Sequence, residues 1–287
     1  MSLRFGYGLN GFADHRLEDA LVVLAELGYD GVALTLDHAH LDPCGPGLAQ
    51  RVDHARRLLE RFDLDVVVET GGRYVLDARN KHHPTFVSDV GAHRRIDLVA
   101  TALRVARDLG APVASCWSGT LPPTATAEQG HARVRRAVEQ LLPVADEVGV
   151  TLALEPEPGM FLERVGDVAG VVEAFGRPRR LGLTVDVGHL VCTEDERPED
   201  VVRRHGDLIA NVQIDDMVRG VHEHLPFGDG EVDLPDVLAA LDDIAFGGLV
   251  HVELPRHSFA APVLAAQSIR ALREGAHTAD RLTRRTS

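Results

Sequence analysis

Four polar residues stand where hydrophobic patterning alone would place apolar ones: Glu155 at the end of TLALE, Asp186 at the end of GLTVD, Gln213 inside ANVQI and Glu253 at the end of LVHVE. If strand ends bring the three carboxylates together, their like charges repel and push their pKa values upward unless a cation joins them. A divalent ion removes that conflict. The set offers four oxygen donors and no sulfur, with Gln213 contributing its amide oxygen. Such a set favours one hard ion, Mn2+ or Mg2+, over Zn2+, with Co2+ a workable substitute. Each residue also has a bland reading: Asp186 as a helix N-cap or ion-pair partner, Gln213 as a satisfied core amide. The joint pattern outweighs these, because four such residues sit on four strands whose C-terminal ends meet if the strands close into a barrel.

The elements needed to position them are legible as eight short apolar or β-branched runs: 5–9, 31–36, 64–69, 112–117, 150–155, 181–186, 209–214 and 249–254. They read as strands. Helical periodicity fills the spaces between, as in RLEDALVVLAELG, where Leu17, Leu21, Leu24 and Ala25 share a face and Glu18 and Glu26 turn outward. Gly28, Gly110 and Gly149 stand where left-handed C-caps are wanted. An eightfold β-α repeat is best closed as a single (β/α)8 TIM barrel of the α/β class, since parallel strands need crossovers and both sheet faces must be covered. An open doubly wound sheet is the competitor, and no glycine-rich phosphate fingerprint follows the first strand. The barrel is expected over residues 1–278, and the C-terminal tail 279–287, ending RLTRRTS, reads as a frayed, solvated helix end.

The longest irregular stretch, residues 70–88, follows the third strand and carries Arg73, Arg79, Lys81, His82 and His83. A loop of that length in a compact domain is usually functional. Beside a barrel mouth its cations, Arg73 and Lys81 among them, are suited to an anionic substrate group; the rival reading is a solvated lid balanced by Asp77 and Glu69. Trp117 and Tyr74 are candidates for an apolar wall. His222 and His224 flank Glu223, a spacing that does not match one helix face, and they are expected in a surface loop. A formal net charge of -14 over 287 residues argues against nucleic acid as a partner. Three scattered cysteines read as reduced thiols, and no apolar run reaches membrane length, so the expectation is a cytoplasmic protein without a membrane partner.

Together, LALEPEPG, LTVDVGH, NVQIDD with the later FGDGEVD, and VHVE resemble the xylose isomerase-like TIM barrels. Within them the chain looks most like the sugar phosphate isomerases and epimerases, a group that includes hydroxypyruvate isomerase, inosose isomerase and ketose 3-epimerases. The resemblance implies one divalent ion held by Glu155, Asp186, Gln213 and Glu253. It also implies that Glu155 and Glu253 act as the acid-base pair of an isomerase or epimerase working through an enediolate. The glutamine variant of the third ligand resembles that of hydroxypyruvate isomerases. His189 and Arg219 match substrate-contacting positions, while Glu157 departs from many relatives and is a further substrate-binding candidate. The implied partner is a small sugar, sugar phosphate or keto acid, with a homo-oligomer as the quaternary expectation. A metal-dependent lyase or dehydratase, and a non-catalytic sugar- or polyol-binding barrel, are the competing functions.

Overall fold

The computed structural model describes residues 3–286. Among the described residues there are ten strands: β1 Arg4–Gly8, β2 Gly31–Thr35, β3 Asp65–Glu69, β4 Val113–Trp117, β5 Thr151–Glu155, β6 Leu181–Asp186, β7 Ile209–Ile214, β8 Asp216–Val218, β9 Val221–Leu225 and β10 Leu249–Val252. Nine α-helices of the described residues run between and around them: α1 Leu17–Leu27, α2 Leu48–Phe62, α3 Ala92–Leu109, α4 Ala127–Val148, α5 Val165–Ala174, α6 Val187–Thr193, α7 Pro198–His205, α8 Leu234–Asp243 and α9 Ala261–Thr286. Eight strands close a parallel barrel in the order β1-β10-β7-β6-β5-β4-β3-β2. These are the eight runs expected from the sequence, within two residues at each end.

Local chemistry accounts for the elements. α1 buries Leu21 and Leu24 and stops at Gly28, whose φ of 78° is the left-handed conformation that glycine takes without steric cost. Gly110 and Gly149 end α3 and α4 in the same way. α4 begins at a capping box, in which Thr126 and Gln129 each satisfy the other's backbone N–H. α9 runs through residue 278 to Thr286, and Ala279 is buried.

Side chains alternate along each strand between the helices and the barrel lumen. The outward set (Val32, Leu34, Val66, Val68, Leu152, Leu154, Val212 and Val250 among them) joins the large core beneath the helices. The inward set changes character from bottom to top. Ala33, Val67, Val113, Ala153 and Leu249 form a small separate apolar floor. Two residues on, the lumen turns polar: Ser115 Oγ lies 2.8 Å from Thr184 Oγ1, Asn211 Nδ2 donates to Thr184 Oγ1 at 3.5 Å, and His251 Nε2 lies 3.1 Å from Asn211 Oδ1. β4 and β6 are not neighbours, so the Ser115–Thr184 contact crosses the lumen. A second crossing joins opposite walls: Gln213 of β7 donates through Nε2 to Glu69 of β3 at 2.9 Å.

One element was not expected. After β7 the chain makes a two-stranded antiparallel sheet, β8 with β9, that stands apart from the barrel.

Candidate active site

The polar storey opens upward into a cavity of about 270 Å³ at the C-terminal ends of the strands, lined by Glu155, Gln213 and Glu253 among others. One carboxylate oxygen from each of Glu155, Asp186 and Glu253 lies within 4.8 Å of the other two. The first two close β5 and β6, and Glu253 directly follows β10. Asp186 also fulfils the bland expectation. It is the N-cap of α6, its Oδ1 accepting the His189 backbone N–H at 3.0 Å, while its Oδ2 is buried without a hydrogen-bond partner. Gln213 spends both amide protons on carboxylates: Nε2 donates to Glu69 Oε1 and, at 2.5 Å, to Glu253 Oε2. Its carbonyl oxygen Oε1 is left buried and unpartnered. Asn10 donates to the other oxygen of Glu253 at 2.8 Å.

The electrostatics follow from crowding acids in a dry place. Burial pushes the Glu155 carboxyl well above its ordinary range, and Glu157, Glu253, Asp186 and Glu69 add like-charge repulsion. Glu253 is raised well above by burial and then by Glu69. Burial lifts Glu69 to about 7 and Glu157 to about 7. A divalent cation would relieve this repulsion, and the orphaned oxygens of Asp186 and Gln213 supply hard donors beside the two glutamates. The residues therefore fit a hard divalent ion.

Other expected residues divide. His189 is buried, with Nδ1 3.6 Å from Glu155 Oε1 and Nε2 3.9 Å from Asp186 Oδ2. Trp117 lines the cavity, with the Arg95 guanidinium 4.6 Å above its ring. Glu157, Arg73 and Lys81 line it as well, joined by Arg256. Arg219 does not. It sits in the β8–β9 turn, and its Nη1 donates to the Glu194 carbonyl at 2.7 Å, away from the cavity. Of the two acids set against the cations of the 70–88 loop, Asp77 accepts the backbone N–H groups of Arg79 and Asn80, and Glu69 faces the lumen. Tyr74 is exposed and outside the cavity lining.

The expectation that His222 and His224 lie in a surface loop is corrected. They are two apart on β9, so an extended chain turns both toward the cavity and sends Glu223 outward. The helix-face criterion was the wrong period for this segment. Behind them, Asp216 accepts the backbone N–H groups of Gly228 at 2.8 Å and Val232 at 2.9 Å, pinning the connection to α8. Gly230 permits this approach, since a Cβ there would lie 2.4 Å from Asp216 Oδ1. Glu69 was also missed, although it ends DVVVE just as Glu155 ends TLALE.

The chain belongs to the xylose isomerase-like TIM barrel family, which it matches over residues 21–275. Among individual relatives, it is 22% identical over 240 residues to an L-ribulose-5-phosphate 3-epimerase of Escherichia coli O1:K1, covering 82% of this chain and 81% of that one. An L-ribulose 3-epimerase structure superposes with a TM-score of 0.78 at 17% identity, covering 100% of this chain and 98% of that one. The IolI protein, solved with a bound zinc atom, gives 0.74 at 16% identity over 95% and 98% of the two chains. At such identities the structural likenesses establish the fold.

Proposed function

We propose that the protein is a divalent-metal-dependent epimerase of a ketose or ketose phosphate, with Glu155 and Glu253 as the two proton-transfer groups. The observation that carries this reading is the convergence of Glu155, Asp186 and Glu253 within one cluster, with the orphaned Gln213 Oε1 on the adjoining strand. Sugar epimerases among the relatives support the same reaction class. Glu155, Asp186, Gln213 and Glu253 would hold the ion, Mn2+ or Mg2+ by donor type. When bound, it supplies Lewis acidity that acidifies the C–H beside a substrate carbonyl.

The chain's own groups do the rest. β5 and β10 are separated in the ring by β7 and β6, so the two glutamates approach a substrate from different sides. One carboxylate removes the proton beside the carbonyl, leaving an enediolate, and the other returns a proton to the opposite face of the same carbon. Asn10 and the Gln213 amide hold Glu253 by both oxygens, fixing its direction. Trp117 and Glu157 line the cavity, and Glu157, with His189 beside the carboxylate of Glu155, would meet substrate hydroxyls. Arg73, Lys81 and Arg256 line the cavity together, with their charges uncommitted to any ion pair among the described residues. In so acidic a chain this favours a substrate with an anionic end, and phosphate above a plain sugar.

The test is deuterium uptake, followed by NMR, with Mn2+ and matched pairs of ketoses and ketose phosphates in D2O. The expected result is label at the carbon beside the ketone with appearance of the epimer, abolished by chelator. Label at C1 with an aldose product would make it an isomerase; net loss of water would make it a dehydratase. No uptake across the panel in protein carrying its metal would leave a binding barrel.

A further inference from the structure

The proton-transfer chemistry above leaves one buried carboxylate of the lumen without a duty. Glu69 closes β3 and is buried, yet the carboxylate cluster of Glu155, Asp186 and Glu253 does not include it. Its two oxygens have separate partners. Oε2 accepts from Thr35 Oγ1 of the neighbouring strand β2 at 3.3 Å, and Oε1 accepts from Gln213 Nε2 at 2.9 Å. Three strands separate β3 from β7 in either direction round the ring, so Glu69 reaches Gln213 straight across the lumen. His251 offers no firm ion pair, because its Nε2 stands 3.7 Å from Glu69 Oε1 and faces Asn211 Oδ1 at 3.1 Å.

A side-chain amide has nearly the same outline either way round, so half a turn exchanges its oxygen and nitrogen with little change in shape. A metal ion accepts only the oxygen. What selects the orientation is the pair of acceptors on the nitrogen side. With Nε2 toward Glu69 and Glu253, both amide protons are used, and Oε1 is the atom left unpartnered in a residue that lines the cavity. The reverse orientation would set Oε1 against two carboxylate oxygens and leave a buried amide nitrogen unpaired, which is costly. Glu253 has a ligand and proton-transfer task of its own in the proposed reaction. Glu69 has no second task, and Thr35 fixes its plane.

We propose that Glu69 is a positioning residue of the metal centre, which locks the Gln213 amide with its oxygen facing the ion that Glu155, Asp186 and Glu253 would hold. The inference rests on the reading of Gln213 as a ligand. It asks of Glu69 an acceptor and not a charge. A glutamine at position 69 meets that need, accepting from Gln213 through its oxygen and donating to Thr35 Oγ1 through its nitrogen.

The test reads Mn2+ binding rather than turnover. Full-length wild type, E69Q, Q213A, E69M/Q213A and two variants without the acceptor, E69M and E69A, are chelated, checked for folding by circular dichroism and titrated with Mn2+. Free ion is followed by its electron paramagnetic resonance signal. Loss of an outer partner to a ligand weakens metal binding by about 10–100-fold, and that loss is expected in E69M and E69A, with E69Q close to wild type. E69M/Q213A is expected to bind no more weakly than Q213A, since Glu69 acts through Gln213. Equal affinity in the wild type, E69M and E69A would overturn the proposal and leave the metal site standing. So would equal losses in E69M and E69Q, which would mark Glu69 as a ligand or a required charge, and so would additive losses in the double variant. A wild type that takes up no Mn2+ would sink this inference together with the metal reading. The expected pattern in a protein that epimerises none of the sugars offered would uphold the role of Glu69 and count against the epimerase alone.

Discussion

Glu155 and Glu253 are the residues on which the proposed chemistry turns. Replacing either by Gln keeps the volume and removes the proton acceptor, so kcat is expected to fall by about 10²–10⁴-fold. Far-ultraviolet dichroism should be unchanged, and deuterium uptake close to wild type in either variant would remove that residue from the mechanism. These two, with Asp186 and Gln213, were legible in the sequence because a polar residue closing an apolar strand has few bland explanations once it recurs on consecutive strands. Glu69 satisfies the same rule on β3 and was passed over; what it does depends on a partner 144 residues away across the lumen. Arg219 failed because its direction is set by a turn whose existence the sequence did not reveal.

At the scale of elements, the barrel strands follow from periodicity, whereas the hairpin β8–β9 does not. Its strands are short and polar, and they pair only with each other. Asp216 fastens the hairpin to the loop before α8, so Asp216→Ala is expected to cost about 1–3 kcal/mol by removing the two part-buried hydrogen bonds it accepts from Gly228 and Val232. It should also raise KM, since His222 and His224 ride on the same hairpin; an unchanged melting temperature and KM would count against that coupling. Arg95 plays the equivalent part for the 70–88 loop. It is buried, donates to the carbonyls of Thr70, His82 and Pro84, and stacks on Trp117. Arg95→Met should free that loop, seen as faster tryptic cleavage at Arg79 and Lys81 while the barrel stays folded. Cleavage at the wild-type rate would mean the loop is held by other contacts.

For the whole molecule, the acids at the mouth set an unusual dependence on pH. Glu69 and Glu157 are raised to about 7 from 4.5, and burial raises Glu155, Glu253 and Asp215 well above their ordinary range. Groups raised on folding stabilise most below their unfolded pKa and lose that contribution as pH climbs through the folded one. His82, His189 and His251, lowered to about 3, and His222, lowered to about 4, act oppositely, withdrawing stability as pH falls below 6.5. Chelated protein should therefore be most stable near about pH 5, where the two opposing slopes cancel, with a melting temperature that falls by several degrees from there toward pH 8.5. Saturating Mn2+ should flatten that alkaline slope, because ionised carboxylates are the form it binds. A chelated protein as stable at pH 8.5 as at pH 5 would contradict the picture. The self-paired hairpin has one more consequence. Since β8 and β9 share no backbone ladder with the barrel, exchanging residues 216–232 for another sequence would leave the proton-transfer floor intact. Selectivity in such a protein can be inherited, lost or transplanted as a cassette while the reaction beneath it persists.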